Sequence, residues 1–335
     1  MPKVSVVVPN YNYERYLPSR LESIFNQTFQ DFEVIILDDN STDDSKRVIE
    51  KYRNHPKVTH VIYNEINSGS PFVQWNKGIE FATGEWIWIA EIDDLADRTL
   101  LEKLLLNTKN NNDVVLSYCQ SYRMDASGCI KGDWSNWTDD LDKNLFKNNF
   151  VFEGLLYIEK FLYSKNTIPN ASGLIFKKDI YSKVGKADED LKYCADWLLW
   201  LKLLTLGNIA FYAEKLNYFR YHQKSVIALA TANRSDIVLK EKFVRFLKKK
   251  PFLFNDKIRY AELILFFCNI ISKDCEFEAY CLKNKGLKMR SIKYMFEALI
   301  YGKNKIRISY ILVFKYILPK NIQSFVARAK NIFNS

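Results

Sequence analysis

The stretch with the most concentrated chemistry is Glu91-Ile92-Asp93-Asp94, three carboxylates within four residues. It follows residues 85–90, a short and almost fully apolar run of aromatic and β-branched side chains, the pattern of a strand buried on both faces. Carboxylates this close repel, and they are tolerated where water, a helix N-terminus or a divalent cation takes up the charge. In an open α/β sheet the carboxyl ends of strands are where ligands bind. The expected chemistry is therefore an oxygen-ligand cation site. The plainer alternative is an acidic turn into a helix that begins near Arg98, with Asp97 as its N-cap.

A second acidic tip closes the run FEVIILDD, where Asp38 and Asp39 lead into the turn-forming residues Asn40, Ser41, Thr42 and Asp43. Both tips are expected along one rim of a sheet. Such a rim repels a bare phosphate but holds one through a cation, and it accepts hydrogen bonds from ribose hydroxyls or a base N–H. No GxGxxG follows the first strand and no GxxxxGK[ST] occurs, which excludes the usual glycine-loop routes to a dinucleotide or triphosphate.

The elements that must position these acids alternate. Residues 3–9 read as a strand, 14–26 as a one-sided helix, 32–39 as a strand and 58–63 as another. A helix over 72–82 then precedes the strand at 85–90. This alternation predicts an α/β fold with a parallel, doubly wound sheet. Further on, 99–109 reads as a helix, 113–122 as a strand, and 129–150 as a polar excursion suited to a flexible acceptor loop. Residues 171–178 read as a strand into a helix. Residues 194–207 read as a buried helix stopped by Gly207, which Asp196 opens as its N-cap. Residues 217–222 form a strand with Arg220 and His222 on one face.

The net charge of +10 is unevenly spread. Residues 1–225 carry 27 Lys and Arg against 31 Asp and Glu, and residues 226–335 carry 22 against 8. An acidic body with a basic, helix-patterned appendage points to a tail that meets an anionic surface. The run 303–320 fits either a helical bundle with solvated lysines or an interfacial helix on anionic lipid. Six scattered cysteines without a CxxC pair, and an opening directly on a strand, make the cytoplasm the expected compartment, with peripheral association at the inner face of the cell membrane. Its longest apolar run near the end is interrupted by Lys315 and falls short of the roughly 20 residues of a spanning helix.

In order along residues 3–225, the segments VVVPNYN, FNQTFQDFEVIILDDNSTD, NSG, WNKGIEFATGEWIWIAEIDD, CADW and RYH resemble the family 2 glycosyltransferases with a GT-A fold. The resemblance implies inverting transfer from a nucleotide-activated sugar, UDP being the implied carrier, with Mn or Mg bridging the diphosphate. It implies that Pro9 and Tyr11 line the base pocket, that Asp39 accepts from the base with Asp38 beside it, and that Asn67 belongs to the nucleotide-sugar site. Asp93 matches the metal-binding aspartate of the DxD motif, and Glu91 stands where an aspartate is more usual, binding ribose or reaching the metal. Asp196 matches the catalytic base, and Arg220 with His222 a basic pair near the diphosphate.

The implied organisation is a GT-A domain over 1–225, with nucleotide-sugar binding in 1–98 and the acceptor side with its base in 99–225. A basic helical region over 226–335 follows. The implied acceptor is a saccharide hydroxyl, on a lipid-linked oligosaccharide of surface-polysaccharide synthesis. A nucleotidyltransferase or other nucleotide-sugar enzyme of similar topology is the alternative, and would need no acceptor-side base. A non-catalytic nucleic-acid-binding protein would use the tail, but the acidic front half opposes it.

Overall fold

The structure, a computed structural model, describes residues 1–109, 111–191, 194–221, 235–249 and 257–284. The chain divides into two compact units, Met1–Ser235 and Asp236–Ser335.

The first unit opens with strand and helix in alternation: β1 (Val4–Asn10), α1 (Leu17–Phe25), β2 (Phe32–Asp38), α2 (Ser45–Glu50), β3 (Val58–Tyr63), α3 (Pro71–Phe81) and β4 (Trp86–Ile89). Every residue of β1, β2 and β4 is buried, as strands covered on both faces must be. β1 lies between β2 and β4 and runs parallel to both, with β3 parallel beyond β2. On one face Val6, Val8, Val34, Ile36, Trp86 and Trp88 share a core cluster with Leu17, Leu21 and Ile24 of α1. On the other, α3 comes so close at Gly78 that an added Cβ would lie 2.4 Å from Val7 Cγ1 and 2.8 Å from Leu37 Cδ1. Only glycine permits that approach, and the preceding turn of α3 is thereby brought to the sheet edge.

The chain continues through β5 (Leu95–Ala96), α4 (Leu100–Leu106), β6 (Val114–Met124), β7 (Ile130–Asp133), β8 (Phe150–Phe152), α5 (Gly154–Tyr157), β9 (Leu174–Lys177), α6 (Lys178–Val184), α7 (Ala195–Leu203) and β10 (Asn208–Arg220). The strand order is β3-β2-β1-β4-β9-β6-β10-β5. β9 runs antiparallel to both neighbours, β4 and β6, so the sheet is parallel where the acidic tips emerge and mixed beyond them.

Several local expectations are corrected. Thr99, not Asp97, is the N-cap of α4; Asp97 shapes the turn before it, accepting from the Thr99 N–H at 2.8 Å and hydroxyl at 2.6 Å. The 129–150 excursion, largely exposed, is anchored by packed aromatic side chains. Trp134 meets Trp137 edge-on at 5.2 Å, and Phe146 packs against Phe150, Phe161 and Phe211. α7 ends at Leu203, before Gly207. Gly207 instead sits where a Cβ would lie 2.5 Å from the Asp113 carbonyl, a close backbone approach.

In the second unit the described residues are helical: α8 (Ser235–Lys249) and α9 (Lys257–Asn284). Buried Leu263, Phe267, Ile271, Cys275 and Ala279 recur every fourth residue of α9, and Phe267 meets Phe243 of α8 at 5.5 Å. Lys240 pairs with Asp274 at 2.7 Å. The basic run of α8 resolves into buried Phe243, Val244 and Leu247 with exposed Arg245, Lys248 and Lys249, a solvated face. The run 303–320 lies outside the described residues. Among the described residues no helix is long and apolar enough to cross a membrane.

Candidate active site

The register of the central strands brings the two acidic tips together. Asn10 of β1 pairs with Asp38 of β2, and Val7 with Ile89 of β4. All three strands run the same way, so residues 38–39 and 91–94 leave the sheet at one edge, on either side of β1.

Asp38 binds the protein itself. Its carboxylate accepts from Asn10 Nδ2 at 2.7 Å, from the Ser41 N–H at 2.9 Å and from the Ser41 hydroxyl at 2.6 Å. Asp39, also buried, accepts from Asn64 Nδ2 (2.6 Å), Gln74 Nε2 (2.8 Å) and the Ser68 N–H (2.9 Å) on Oδ1, and from the Ser68 hydroxyl (2.7 Å) on Oδ2. The Ser68 N–H also reaches Oδ2, at 3.1 Å, so both carboxylate oxygens are engaged within the protein. Asn67 donates from Nδ2 to the Asp39 carbonyl at 2.9 Å and accepts from the Gly69 N–H at 2.8 Å, so it shapes the loop around Asp39. Pro9 is buried opposite Leu37, and Tyr11, 45% exposed, stands open just past the strand.

At the second tip Glu91 Oε1 accepts from Trp75 Nε1 of α3 at 2.8 Å, while its backbone N–H donates to Ser172 Oγ at 3.2 Å. Asp94, 2% exposed, accepts the Arg220 N–H at 2.9 Å. Burial, with Asp93 next, raises the Glu91 carboxyl to about 8, against the Trp75 hydrogen bond. The same two causes raise Asp94, against Arg20, the Arg220 N–H and Ser172. This is the like-charge arrangement anticipated for the motif, and a neutralising partner is favoured there.

Arg220, at the same tip, is engaged by the protein itself. It is 4% exposed; its Nε donates to the Asp93 carbonyl at 2.6 Å and its Nη1 to the Asp125 carbonyl at 3.1 Å, and its Cζ lies 4.4 Å from the centre of the Tyr16 ring. It clamps the backbone of the acidic tip to the β6–β7 turn. His222 lies outside the described residues.

Asp196 lies in the first turn of α7, and the N-cap is Cys194, held at φ 61° without a side-chain capping bond, which corrects the capping role expected of Asp196. The residue as a whole is half-buried. Burial pushes its carboxyl up to about 6, opposed by hydrogen bonds from the backbone N–H groups of Trp197 and of Asp196 itself. A group poised near neutrality suits proton transfer.

What ties Asp196 to the acidic rim is α3. Gln74 reaches Asp39, Trp75 reaches Glu91, and Asn76 holds the segment before α7 by donating from Nδ2 to the Ala187 carbonyl (3.1 Å) and to Glu189 Oε1 (2.7 Å). The Trp75 ring also stacks on Trp200, with centroids 6.3 Å apart and planes 28° from parallel. Trp200 lies one turn beyond Asp196. Trp75 and Asn76 open a segment that carries the resemblance, but nothing in the sequence assigns them these contacts, and Gln74 and Ser172 do not stand out; a polar residue on a helix facing a sheet carries no local mark of what it will meet.

Among the described residues, no three His, Cys, Asp or Glu side chains converge to hold a metal ion on their own. The donor chemistry of Asp93 with Glu91 and Asp94 nonetheless fits a hard divalent cation that takes further oxygens from a diphosphate and water.

A parallel βα half with an acidic rim, joined through an antiparallel strand to a mixed half, is the GT-A fold. Residues 5–167 match the family model described as glycosyl transferase family 2, and the chain is similar to members of that family. It is 29% identical over 224 residues to an uncharacterized glycosyltransferase of Haemophilus influenzae, covering 66% of this chain and 66% of that protein. It is also 29% identical over 204 residues to a poly(ribitol-phosphate) beta-glucosyltransferase of Bacillus spizizenii, covering 57% of this chain and 32% of that one. Among solved structures it resembles residues 1–349 of Staphylococcus aureus TarS in complex with UDP-GlcNAc, with a TM-score of 0.67 and 19% identity, over 92% of this chain and 86% of that one.

Proposed function

We propose that the chain transfers a sugar, with inversion, from a uridine diphosphate sugar to a hydroxyl of a cell-surface glycan acceptor. The observation that carries this reading is that one turn of α3 touches the Asp39 pocket, the Glu91 tip and the segment leading to Asp196. Donor-side acids and a carboxylate near neutrality are thereby held in one frame. The UDP-GlcNAc complex of TarS supports the donor class. The polymer named for the Bacillus relative supports an acceptor rich in hydroxyls.

In this reading Pro9 and Tyr11 border the base and Asp39 accepts from it through Oδ2, the oxygen that Ser68 alone holds. Asp93, with Glu91 and Asp94 beside it, would hold a divalent cation, Mn or Mg, which when bound supplies Lewis-acid neutralisation of the departing diphosphate. Asp196 accepts the proton of the acceptor hydroxyl as that oxygen forms its bond to the anomeric carbon and the bond from that carbon to the diphosphate breaks on the opposite face. The proton ends on Asp196 and the electron pair on the nucleoside diphosphate. Arg220 fixes the backbone of the tip so that Asp93 is presented in one place.

A thermal-shift panel of UDP-, GDP- and dTDP-sugars with and without Mn²⁺ tests the donor side. Stabilisation by a UDP-sugar that grows with Mn²⁺ is the expected result, and equal shifts with all nucleotides, or none, would defeat it.

A further inference from the structure

Arg20 of α1 is a charged side chain that the chemistry above does not use. It is 0% exposed, and none of its three guanidinium nitrogens has a hydrogen-bond partner among the described residues. Its Cζ lies 5.1 Å from the centre of the Trp88 ring, on the strand that leads to Glu91. Burial lowers its pKa to about 10, so it stays cationic at neutral pH, and the charges that oppose the lowering are Asp94, Glu91 and Asp93, in that order. It acts in turn on both Glu91 and Asp94.

Packing does not account for it. Leu17, Leu21 and Ile24 on the same helix are buried among apolar neighbours, and an apolar side chain of similar volume would fill such a place at lower cost than an unpaired cation. Nor does Arg220 duplicate it, since that guanidinium donates to backbone carbonyls. We propose that Arg20 is a positioning residue of the donor site: its fixed positive charge, buried against Trp88 of the strand that ends in the Glu91-Ile92-Asp93-Asp94 tip, is the internal counter-charge that lets those carboxylates stay together in the arrangement that receives a nucleotide diphosphate. The proposal rests on the donor-site reading given above.

The test is a double-mutant cycle on the full chain, using Arg20→Met and Asp94→Asn. Asp94→Asn keeps an oxygen to accept the Arg220 N–H and removes only charge. In the presence of Arg20 it is expected to shift the urea midpoint less favourably than in its absence, because a buried cation loses its partner. Combined with Arg20→Met it is expected to leave the midpoint unchanged or raise it. Calorimetry with UDP and Mn²⁺ gives a second readout: Arg20→Met weakens binding about tenfold or more, and Arg20→Lys, which keeps the charge, by less than about threefold.

Equal midpoint shifts in both backgrounds, or UDP binding unaltered by Arg20→Met, would overturn the proposal. A chain carrying Arg20→Met that folds only together with Asp94→Asn supports it, and one that folds in neither background assigns Arg20 to packing and overturns it. Failure of the unaltered protein to bind UDP with Mn²⁺ would sink the donor-site reading instead, while the stability cycle still decides the counter-charge.

Discussion

Trp75 and Glu91 meet at 2.8 Å, indole Nε1 to carboxyl Oε1, across the gap between α3 and the end of β4. The same indole stacks on Trp200 of α7, so one side chain joins the donor-side acid to the helix that carries Asp196. Trp75→Phe keeps a ring against Trp200 and removes the donor. Leaving Glu91 without it is expected to cost about 1–3 kcal/mol of stability, read from urea unfolding. Trp75→Ala, which also empties the stack, is expected to cost about 3–5 kcal/mol. Equal losses for the two would mean that the stack contributes nothing, and an unchanged midpoint for Trp75→Phe would mean that the hydrogen bond contributes nothing.

Asp196→Asn is expected to lower kcat by about 10²–10⁴-fold while UDP binding is retained. With the carboxyl raised to about 6, kcat/KM of the unaltered enzyme should climb from pH 5 to pH 7 and level off as the base ionises. A flat profile over that range, or full activity in the variant, would remove Asp196 from proton transfer.

Glu91 gives a stability prediction with a definite sign. Its folded-state pKa, about 8, lies above the ordinary glutamate value of 4.5, so between these the folded chain holds more protons than the unfolded one. The contribution of this group to stability is therefore fully present below about 4.5 and is lost as pH rises through about 8. Glu91→Gln cannot ionise. Its Tm relative to the unaltered protein, measured without metal, should rise from pH 6 to pH 9; a constant difference would show that Glu91 carries its charge throughout.

Asp39→Ala removes the acceptor of Asn64, Ser68 and Gln74 at once. Unfolding should begin at the 64–70 loop, and the chain should lose both UDP affinity and protection of the amides there, as read by hydrogen exchange. Loss of nucleotide affinity with unchanged amide protection would instead give Asp39 a direct contact role alone.

The sequence displays what is periodic or charged. Buried β1, β2 and β4, their helices and the pairing of acidic tips are legible in apolar runs that end in carboxylates. The antiparallel insertion of β9 is not, because a four-residue strand such as Leu174–Lys177 carries no mark of its direction. Residue type alone suggests caps at Asp97 and Asp196, whereas a cap is fixed by backbone angles: Thr99 takes that position before α4, and Cys194, at positive φ, takes it before α7. Nor does residue type show that the Arg220 guanidinium donates to the Asp93 and Asp125 carbonyls. The contacts of α3 depend on the approach that Gly78 permits, which a helical pattern does not display.

That approach has a consequence for how the enzyme can diversify. Gln74, Trp75 and Asn76 are successive residues, about 100° apart around a helix axis, and each serves a different part of the pocket. Deleting or adding one residue between Ser70 and Gly78 would rotate all three off target together. New donor or acceptor preferences must therefore arise by exchanging side chains in place or by remodelling the β6–β7 and 134–149 segments, while the length of this helix stays frozen.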